Sequence, residues 1–192
     1  MTLKNPEYDF KWCPGCGDFG VRRGIEGALV QHVTENEQPV NKTVVVAGIG
    51  CSGNMVHMLE KEQPFGIHGI HGRSLPLAFG IKMANPELNV LTVAGDGDFL
   101  GIGMEHIGPQ AQRNLNITSV VMDNGVYGLT KGQSSPTSEL GAITTSTPYG
   151  KIEGKLNPLR TYLSFGVSYI ASMMSSKVKD LSSLVYDAMN HP

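Results

Sequence analysis

Three short apolar runs of this chain end in loops that carry polar, ligand-binding residue types. The runs are rich in β-branched residues, which is typical of buried strands. They span Thr43 to Ala47, Asn89 to Ala94 and Ile117 to Met122. The loops after them read Gly48-Ile-Gly-Cys-Ser-Gly53, Gly95-Asp-Gly-Asp98 and Asp123-Asn-Gly-Val-Tyr-Gly128. Because ligands of open α/β sheets bind beyond the carboxyl ends of the strands, all three loops are candidates for one site.

Asp96 and Asn124 are the pair whose chemistry is most specific. Each follows a predicted buried strand, so the fold would bring the two loops side by side. Mg²⁺ prefers oxygen ligands and keeps diphosphate oxygens and water in its shell, so a carboxylate and an amide oxygen suit it. The alternative is that Gly-Asp-Gly-Asp and Asp-Asn-Gly are two tight turns. Taken together at strand ends, the two loops favour a magnesium site that anchors a diphosphate.

The spacing Gly48-x-Gly50-x-x-Gly53 matches the fingerprint of dinucleotide-binding folds. Such a fold wants an acidic residue about 20 residues further on to hold the ribose hydroxyl. The chain there reads Phe65-Gly-Ile-His-Gly-Ile-His71, which contains no acid. A nicotinamide-dependent Rossmann dehydrogenase is therefore an alternative with one of its two signals missing.

Cys13, Cys16 and Cys51 are the three cysteines of the chain. Cys13-Pro-Gly-Cys16 resembles a redox pair, but a thioredoxin fold places a strand directly before such a motif, and Cys51 would have no role in it. Three thiols indicate ligands of an iron–sulfur cluster or of zinc, although four ligands are the norm. Buried, packed thiols are the remaining alternative.

His68, His71 and Arg73 follow the first glycine loop and stand near a strand end. Each could contact a diphosphate or a substrate carboxylate. An isolated histidine is more often structural, so the pattern favours neither interpretation strongly, with His68 the nearest to the predicted strand.

Helical periodicity alternates with these strands. It covers Val21 to Val33, Asn54 to Glu62, Ser74 to Ala84 and Met104 to Arg113. The order predicts an α/β fold, with a mostly parallel sheet and helices on both faces. Residues 133 to 157 predict a loop over the site. Beyond it we expect a helix at Pro158 to Phe165, a short strand near Ser168 to Ala171 and a helix from Val178 to Asn190.

Composition excludes several classes of protein. The chain has 192 residues, enough for one domain with a real core, and a formal charge of −2 without a basic cluster, which argues against nucleic acid. The N-terminus has no apolar signal region, and no stretch approaches the roughly 20 apolar residues that span a bilayer. We expect a cytoplasmic protein with no membrane partner.

Together the motifs resemble the β subunit of 2-oxoacid:ferredoxin oxidoreductases, particularly those acting on 2-oxoglutarate. The resemblance rests on Trp12 to Gly17, Gly48 to Gly53, His71-Gly-Arg73, Gly95 to Asp98 and Asp123 to Gln133. It implies a single thiamine diphosphate-binding domain over residues 1–192, with an N-terminal CxxC segment for a [4Fe–4S] cluster. It makes Cys13, Cys16 and Cys51 cluster ligands, and Asp96, Asn124 and the carbonyl of Val126 Mg²⁺ ligands. The residues lining the cofactor would be Ile49, Gly50, Cys51, Ser52, His68, Gly97, Asp98, Gly128 and Leu129.

The same resemblance implies oxidative decarboxylation of a 2-oxoacid to acyl-CoA and CO₂, with electrons passing through the cluster to ferredoxin. An α subunit completes the site in such heterodimers, and pyruvate is a possible substrate beside 2-oxoglutarate. Family members continue into a further strand and an extension that supplies a fourth cysteine, so this chain is expected to be C-terminally truncated. A zinc or thiol binding protein, with the nicotinamide dehydrogenase, stays open as an alternative.

Overall fold

A computed structural model describes residues 12–60, 62 and 64–191 and contains a four-stranded parallel sheet. The strands are β1 (Thr43–Ala47), β2 (Phe65–His68), β3 (Asn89–Gly95) and β4 (Ile117–Met122). They lie in the order β2-β1-β3-β4, and every pair is parallel. The predicted α/β class with a parallel sheet is confirmed, and β2 adds a short strand at one edge.

Six α-helices and a small hairpin complete the described part of the chain. The helices are α1 (Asp18–Glu35), α2 (Met55–Met58), α3 (Ser74–Ala84), α4 (Ile107–Arg113), α5 (Pro158–Ser164) and α6 (Val178–Asn190). The hairpin pairs β5 (Val126–Tyr127) with β6 (Gln133–Ser134) in antiparallel fashion. Short 3₁₀ turns cover Val40–Lys42, Ser52–Asn54 and Met104–His106, and a π-helical turn covers Gly97–Ile102.

The strands read as continuous apolar runs because both faces of the sheet are covered. Val45 packs in one core cluster with Ile25 of α1 and Val185 of α6. Val46 points to the other face and packs in a separate cluster with Ala78 of α3. Successive side chains of a strand alternate between faces, so a sheet between two helical layers needs apolar residues at consecutive positions.

The sheet register brings the strand ends to one edge. Ala47 of β1 lies beside Val93 of β3, and Gly95 of β3 lies beside Met122 of β4. The loops after Ala47, Gly95 and Met122 therefore leave the sheet as neighbours. This placement is what the sequence predicted for the three polar loops.

Most predicted elements are confirmed, and two need correction. The helices at Ser74–Ala84 and Val178–Asn190 have the predicted bounds, whereas the helix predicted for Asn54 to Glu62 is one turn, Met55–Met58, after a 3₁₀ turn. The strand predicted near Ser168 to Ala171 is wrong: this segment pairs with no strand in the described chain. Its apolar residues carry strand propensity, but a strand also needs a neighbour whose backbone it can bond.

The predicted loop over residues 133–157 is largely exposed but contains a buried part. Ser135, Thr137 and Lys151 are buried, and β6 lies within it. Lys151 donates from Nζ to the carbonyls of Pro136 and Ser138 at 3.2 and 3.0 Å. The buried ammonium of Lys151 thus links the later part of the loop to residues 136–138. Among the described helices, none is long and apolar enough to cross a membrane.

The packing of α1 against the segment before α6 can be tested with two matched glycine substitutions. A Cβ added at Gly20 of α1 would lie 2.1 Å from the carbonyl oxygen of Ser175, whereas one added at Gly80 of α3 would meet nothing within 4 Å. We expect Gly80→Ala to raise the free energy of unfolding by about 0.5–1 kcal/mol, because alanine loses less backbone entropy. Gly20→Ala should lower it by about 1–3 kcal/mol through overpacking. Urea unfolding measures both, and equal gains would contradict the packing described.

Candidate functional site

Two buried carboxylates follow β3, and their side chains face different loops of the site. Asp96 is 1% exposed and Asp98 is 2% exposed. Between and after them the backbone makes the π-helical turn Gly97–Ile102, a feature frequent at functional sites. Asp96 faces the loops after β4, and Asp98 faces the loop after β1. Burying ionised carboxylates costs free energy unless donors or cations compensate them, so each one requires specific partners.

Asp98 is held by groups on two loops. Its Oδ1 accepts from the backbone N–H of Ile49 at 2.9 Å and of Gly72 at 2.8 Å, and it makes a short contact with Nδ1 of His71. Its Oδ2 is buried without a hydrogen-bond partner in the described chain. A Cβ added at Gly48 would lie 1.9 Å from that oxygen, so only glycine allows the loop to approach so closely.

This contact also weakens the nicotinamide interpretation of the glycine loop. In a dinucleotide fold the loop N–H groups and the following helix N-terminus receive the pyrophosphate. Here the N–H of Ile49 is bonded to Asp98, and the loop continues into a 3₁₀ turn and the single turn α2. Gly48 allows close approach to a carboxylate, and Gly50 adopts a positive φ of 112°, which favours glycine.

Asp96 is bonded to the loop of residues 133–157. Its Oδ2 lies 2.6 Å from Oγ1 of Thr137, and its Oδ1 lies 3.5 Å from the backbone nitrogen of Asn124. The same Thr137 hydroxyl lies 2.7 Å from Oδ1 of Asp123. A hydroxyl has one hydrogen, so it can donate to only one of these carboxylates at a time. Three oxygens with two negative charges therefore meet at this point.

Asn124 and Val126 form one compact turn beside Asp96. The side-chain oxygen of Asn124 accepts from the N–H of Val126 at 3.1 Å, an Asx-type turn, and keeps a second lone pair. Ser138 donates to the carbonyl of Gly125 at 2.6 Å, which fixes the turn from the other side. The predicted pair Asp96 and Asn124 thus lies on adjacent loops.

Tyr127 ties this turn to the end of β3. Its hydroxyl donates to the carbonyl of Gly97 at 2.8 Å. A Cβ added at Gly97 would lie 2.4 Å from Cε1 of the same ring. Position 97 must therefore be glycine for the ring to pack against the backbone between the two carboxylates.

The cysteines lie on the side of the site formed by the loop after β1. Cys51 accepts at its backbone carbonyl from the indole N–H of Trp12 at 2.8 Å, which joins the CxxC arm to the glycine loop. All three cysteines are free thiols. Burial raises the pKa of Cys51, and the negative charges of Asp18, Cys16 and Cys13 raise it further. The three thiols, all in the described part of the chain, are nevertheless not drawn together as a metal-binding group.

Asp18, at the start of α1, is buried beside these thiols. Burial raises the pKa of its carboxyl, while hydrogen bonds from Ser52 and Cys16 lower it. Ser52 donates to its two oxygens at 3.4 and 3.3 Å. Burial also raises the pKa of Cys16. A set of thiols with raised pKa values next to a carboxylate is an environment that a bound cation would relieve.

The predicted histidines lie near Asp98, but Arg73 is engaged elsewhere. Nδ1 of His68 lies 2.8 Å from Nε2 of His57, and burial lowers the pKa of both rings, which favours their neutral forms. Arg73 donates to the carbonyl of Ile102 at 3.1 Å and pairs with Glu105 at 3.2 Å. Arg73 therefore contacts the end of the π-helical turn that follows Asp98.

The remaining predicted residues line the same edge, and three residues with clear contacts were missed. Gly128 lies against the cysteine loop, since a Cβ there would meet Sγ of Cys51 at 3.6 Å, and Leu129 is half-exposed beside it. The missed residues are Asp18, Asp123 and Thr137. Asp18 has a sequence signal because it lies two residues after the CxxC motif, whereas Thr137 is 41 positions from Asp96 and has none.

The donor types fit a hard cation at Asp96. The described residues contain no group of three or more His, Cys, Asp or Glu side chains arranged to hold a metal ion. The site expected at Asp96, Asn124 and Val126 has one carboxylate, one amide oxygen and one backbone carbonyl. It contains a single side chain of those four types, so it would not count as such a group. It would leave coordination positions for phosphate oxygens, as Mg²⁺ prefers.

Comparisons with known proteins agree with this chemistry. Residues 48–192 match the family model described as thiamine pyrophosphate enzyme, C-terminal TPP binding domain. A 2-oxoacid:ferredoxin oxidoreductase subunit beta from Saccharolobus solfataricus is 43% identical over 180 residues, which are 94% of this chain and 57% of the relative. A 2-oxoglutarate oxidoreductase subunit KorB from Mycobacterium tuberculosis is 37% identical over 96% of this chain and 48% of its own length.

A solved structure gives the same result. The 2-oxoglutarate:ferredoxin oxidoreductase from Magnetococcus marinus, with 2-oxoglutarate, coenzyme A and succinyl-CoA bound, matches with a TM-score of 0.86 and 40% identity. The match covers 96% of this chain and 61% of that chain, so the present chain spans about half to three-fifths of the length of these proteins. The resemblance to the β subunits of 2-oxoacid:ferredoxin oxidoreductases is confirmed, and the chain belongs to the thiamine pyrophosphate enzyme family.

Proposed function

We propose that this chain binds thiamine diphosphate through Mg²⁺ at Asp96 and acts as the cofactor-binding β subunit of a 2-oxoacid:ferredoxin oxidoreductase. The observation that carries the proposal is the meeting of the Asp96 carboxylate with the turn that contains Asn124, at the carboxyl edge of the sheet. The family match over residues 48–192 supports thiamine diphosphate over a nicotinamide or a zinc ion as the ligand.

The Mg²⁺ shell would use Asp96, the side-chain oxygen of Asn124 and the carbonyl of Val126. A divalent ion here offsets the charges of Asp96 and Asp123, which share one hydroxyl donor at Thr137. It also adds positive charge where a diphosphate must bind. Gly97, which is covered by the Tyr127 ring, and Gly128, which lies beside Cys51, would line the cofactor site.

The second half of the cofactor site is the region around Asp98. Asp98 orients the loop of Ile49, Gly50, Cys51 and Ser52 through the N–H of Ile49. His68 and Leu129 supply partly apolar surface near this loop. When bound, thiamine diphosphate supplies the carbanion nucleophile and the electron sink that decarboxylation of a 2-oxoacid requires. The chain's own residues position the cofactor and exclude water.

Cys13, Cys16 and Cys51 would hold the [4Fe–4S] cluster that passes electrons to ferredoxin. Iron would offer positive charge beside Cys16 and Cys51, whose pKa values are raised chiefly by burial. The bond from Trp12 to Cys51 joins the cysteine arm to the cofactor loop, so cluster and cofactor would be neighbours. A reduced, cytoplasmic setting suits such thiols.

The substrates and partners follow from the relatives and are part of the same proposal. The relatives are named as β subunits, and the Magnetococcus structure contains 2-oxoglutarate, coenzyme A and succinyl-CoA. We propose an α subunit as the partner, a 2-oxoacid and coenzyme A as substrates, and 2-oxoglutarate over pyruvate. We also propose that residues 1–192 form a single thiamine diphosphate-binding domain.

Replacing the central carboxylate tests the magnesium site. Asp96→Asn should weaken Mg²⁺-dependent binding of thiamine diphosphate by more than about 100-fold, because a first ligand contributes more than the outer groups whose loss costs ~10–100-fold. Asp180→Asn, on the exposed surface of α6, is the control and should bind as the parent does. Calorimetric titration with and without Mg²⁺ measures the effect. Unchanged binding by folded Asp96→Asn would disprove the site.

The shared hydroxyl at Thr137 gives a second test. Thr137→Ala removes the donor that lies between Asp96 and Asp123, so the Mg²⁺ concentration for half-maximal cofactor binding should rise by about 10-fold or more. Thr137→Ser keeps the hydroxyl and should stay within about 3-fold of the parent, well below the cost of losing an outer group. The two variants are compared by Mg²⁺ titration at fixed cofactor. Equal loss in both would mean that the methyl group, not the hydroxyl, matters.

The cluster proposal is tested by iron and sulfide analysis after anaerobic reconstitution. The parent should take up iron and sulfide and become brown, whereas Cys16→Ser and Cys51→Ser should each lose most of the chromophore because serine is a poor ligand for iron–sulfur clusters. Thiamine diphosphate binding should survive Cys16→Ser, since Cys16 lies outside the cofactor set. Stoichiometric zinc without sulfide in the parent would favour the zinc alternative.

A further inference from the structure

Two histidines from different elements meet beside the glycine loop that follows β1. His57 lies in the single turn α2, and His68 is the last residue of β2. Nε2 of His57 lies 2.8 Å from Nδ1 of His68, and the two ring centroids are 4.9 Å apart. Two ring nitrogens at this distance share one hydrogen, so one ring donates and the other accepts. The direction of this bond therefore decides the tautomer of each ring.

The other nitrogen of His68 lies against the glycine loop. Strand β2 pairs with β1 so that His68 is beside Ala47, the residue directly before Gly48. Nε2 of His68 is buried. A Cβ added at Gly53 would lie 3.3 Å from this nitrogen and 1.9 Å from the carbonyl oxygen of Gly48. Nε2 of His68 and the Gly48 oxygen thus border the same small space.

The surroundings of Nε2 favour a hydrogen on that atom. A carbonyl oxygen offers only lone pairs, so a ring nitrogen that faces it either donates or is repelled. Burial lowers the pKa of His68, whereas the backbone of Gly48 and the charge of Asp98 raise it. A neutral His68 with its hydrogen on Nε2 has only a lone pair at Nδ1. His57 must then be the donor of the bond between the two rings.

The turn that carries His57 is fixed to the core and to β2. Met55, at the start of α2, is fully buried in the cluster that covers one face of the sheet. Val56 packs against the strand that carries His68, since a Cβ added at Gly66 would lie 3.4 Å from Cβ of Val56. This packing holds the two imidazole rings at hydrogen-bond distance.

We propose that His57 is a positioning residue for the loop of residues 48–53. Its Nε2–H donates to Nδ1 of His68 and holds that ring in the tautomer whose Nε2–H faces the carbonyl of Gly48. Gly48 in turn packs against Oδ2 of Asp98, which leaves no room for a Cβ. The contacts therefore run from His57 through His68 to the loop that Asp98 orients. That this loop meets a cofactor rests on the proposed function, whereas the tautomer of His68 does not.

Loss of the donor at position 57 has a defined effect on His68. Its single hydrogen would then occupy either nitrogen, and the tautomer with a lone pair at Nε2 would repel the Gly48 oxygen. The loop would be held less firmly, so a ligand that needs the loop in one arrangement would bind more weakly. One ordinary hydrogen bond corresponds to about 2- to 10-fold in binding.

Nitrogen NMR of the full chain, labelled with ¹⁵N at histidine, measures the tautomer directly. At about pH 7, His68 should show a lone-pair signal for Nδ1 and an N–H signal for Nε2, and His57 should show an N–H signal for Nε2. Hydrogen on Nδ1 of a neutral His68 would overturn the proposal. This measurement needs neither a variant nor a cofactor.

Two substitutions separate the hydrogen bond from the bulk of the ring. His57→Leu removes the donor, so the His68 signals should move toward an average of both tautomers. His57→Gln keeps an N–H near the position of Nε2 and should keep the parent tautomer. His191→Leu is the control, because His191 contacts Tyr169 instead, and it should leave the His68 signals unchanged. Unchanged His68 signals in His57→Leu, or equal changes in both variants at position 57, would overturn the role of His57.

Binding of thiamine diphosphate with Mg²⁺ connects the tautomer to the proposed function. His57→Leu should weaken binding by about 2- to 10-fold, and His57→Gln should restore most of it. Calorimetric titration beside the parent and His191→Leu measures the change. Parent-like binding by His57→Leu with an altered His68 tautomer would overturn the positioning role. A parent that has the expected tautomer but binds no cofactor would contradict the proposed function alone, and the bond from His57 to His68 would stand.

Discussion

Two carboxylates buried at the end of the internal strand β3 determine how this site is organised. Asp96 and Asp98 are both almost fully enclosed, and they are separated by one glycine. Two negative charges so close together in a poorly solvated place cannot share the same partners. The structure separates them by direction: Asp98 faces backbone N–H groups of the loops after β1 and β2, and Asp96 faces hydroxyl and backbone groups near β4. The site consists of two halves for this reason.

The half around Asp96 needs an additional cation more than the half around Asp98 does. Asp98 has two backbone donors and a histidine on one oxygen. Asp96 has one hydroxyl, which is also in contact with Asp123, and a backbone N–H at 3.5 Å. The buried segment that carries Thr137 is held by Lys151, whose ammonium bonds two of its carbonyls. The packing of this long loop is thus part of the proposed cation site.

The thiol side and the carboxylate side meet through one loop, the glycine loop after β1. Ile49 bonds Asp98, while Cys51, two residues later, is bonded by Trp12 and faces Gly128. The two halves are therefore joined through three residues of backbone, Ile49 to Cys51. The π-helical turn and the contact of Tyr127 with Gly97 keep this region rigid.

The sequence by itself determined the class of fold, the edge of the sheet where the site lies, and the residue types that face it. A continuous apolar run indicates a strand buried on both faces. Glycine next to an acidic residue directly after a strand indicates that the backbone closely approaches another group. Both signals are local in the sequence. Helices at Ser74–Ala84 and Val178–Asn190 were predictable because their periodicity is complete within each segment. The tertiary structure alone decided that Thr137 joins Asp96 to Asp123, that Asp18 is buried among the thiols, and that residues 168–171 stay unpaired. Each of these depends on contacts across many positions of the chain or on a neighbouring strand, and no local pattern encodes such contacts.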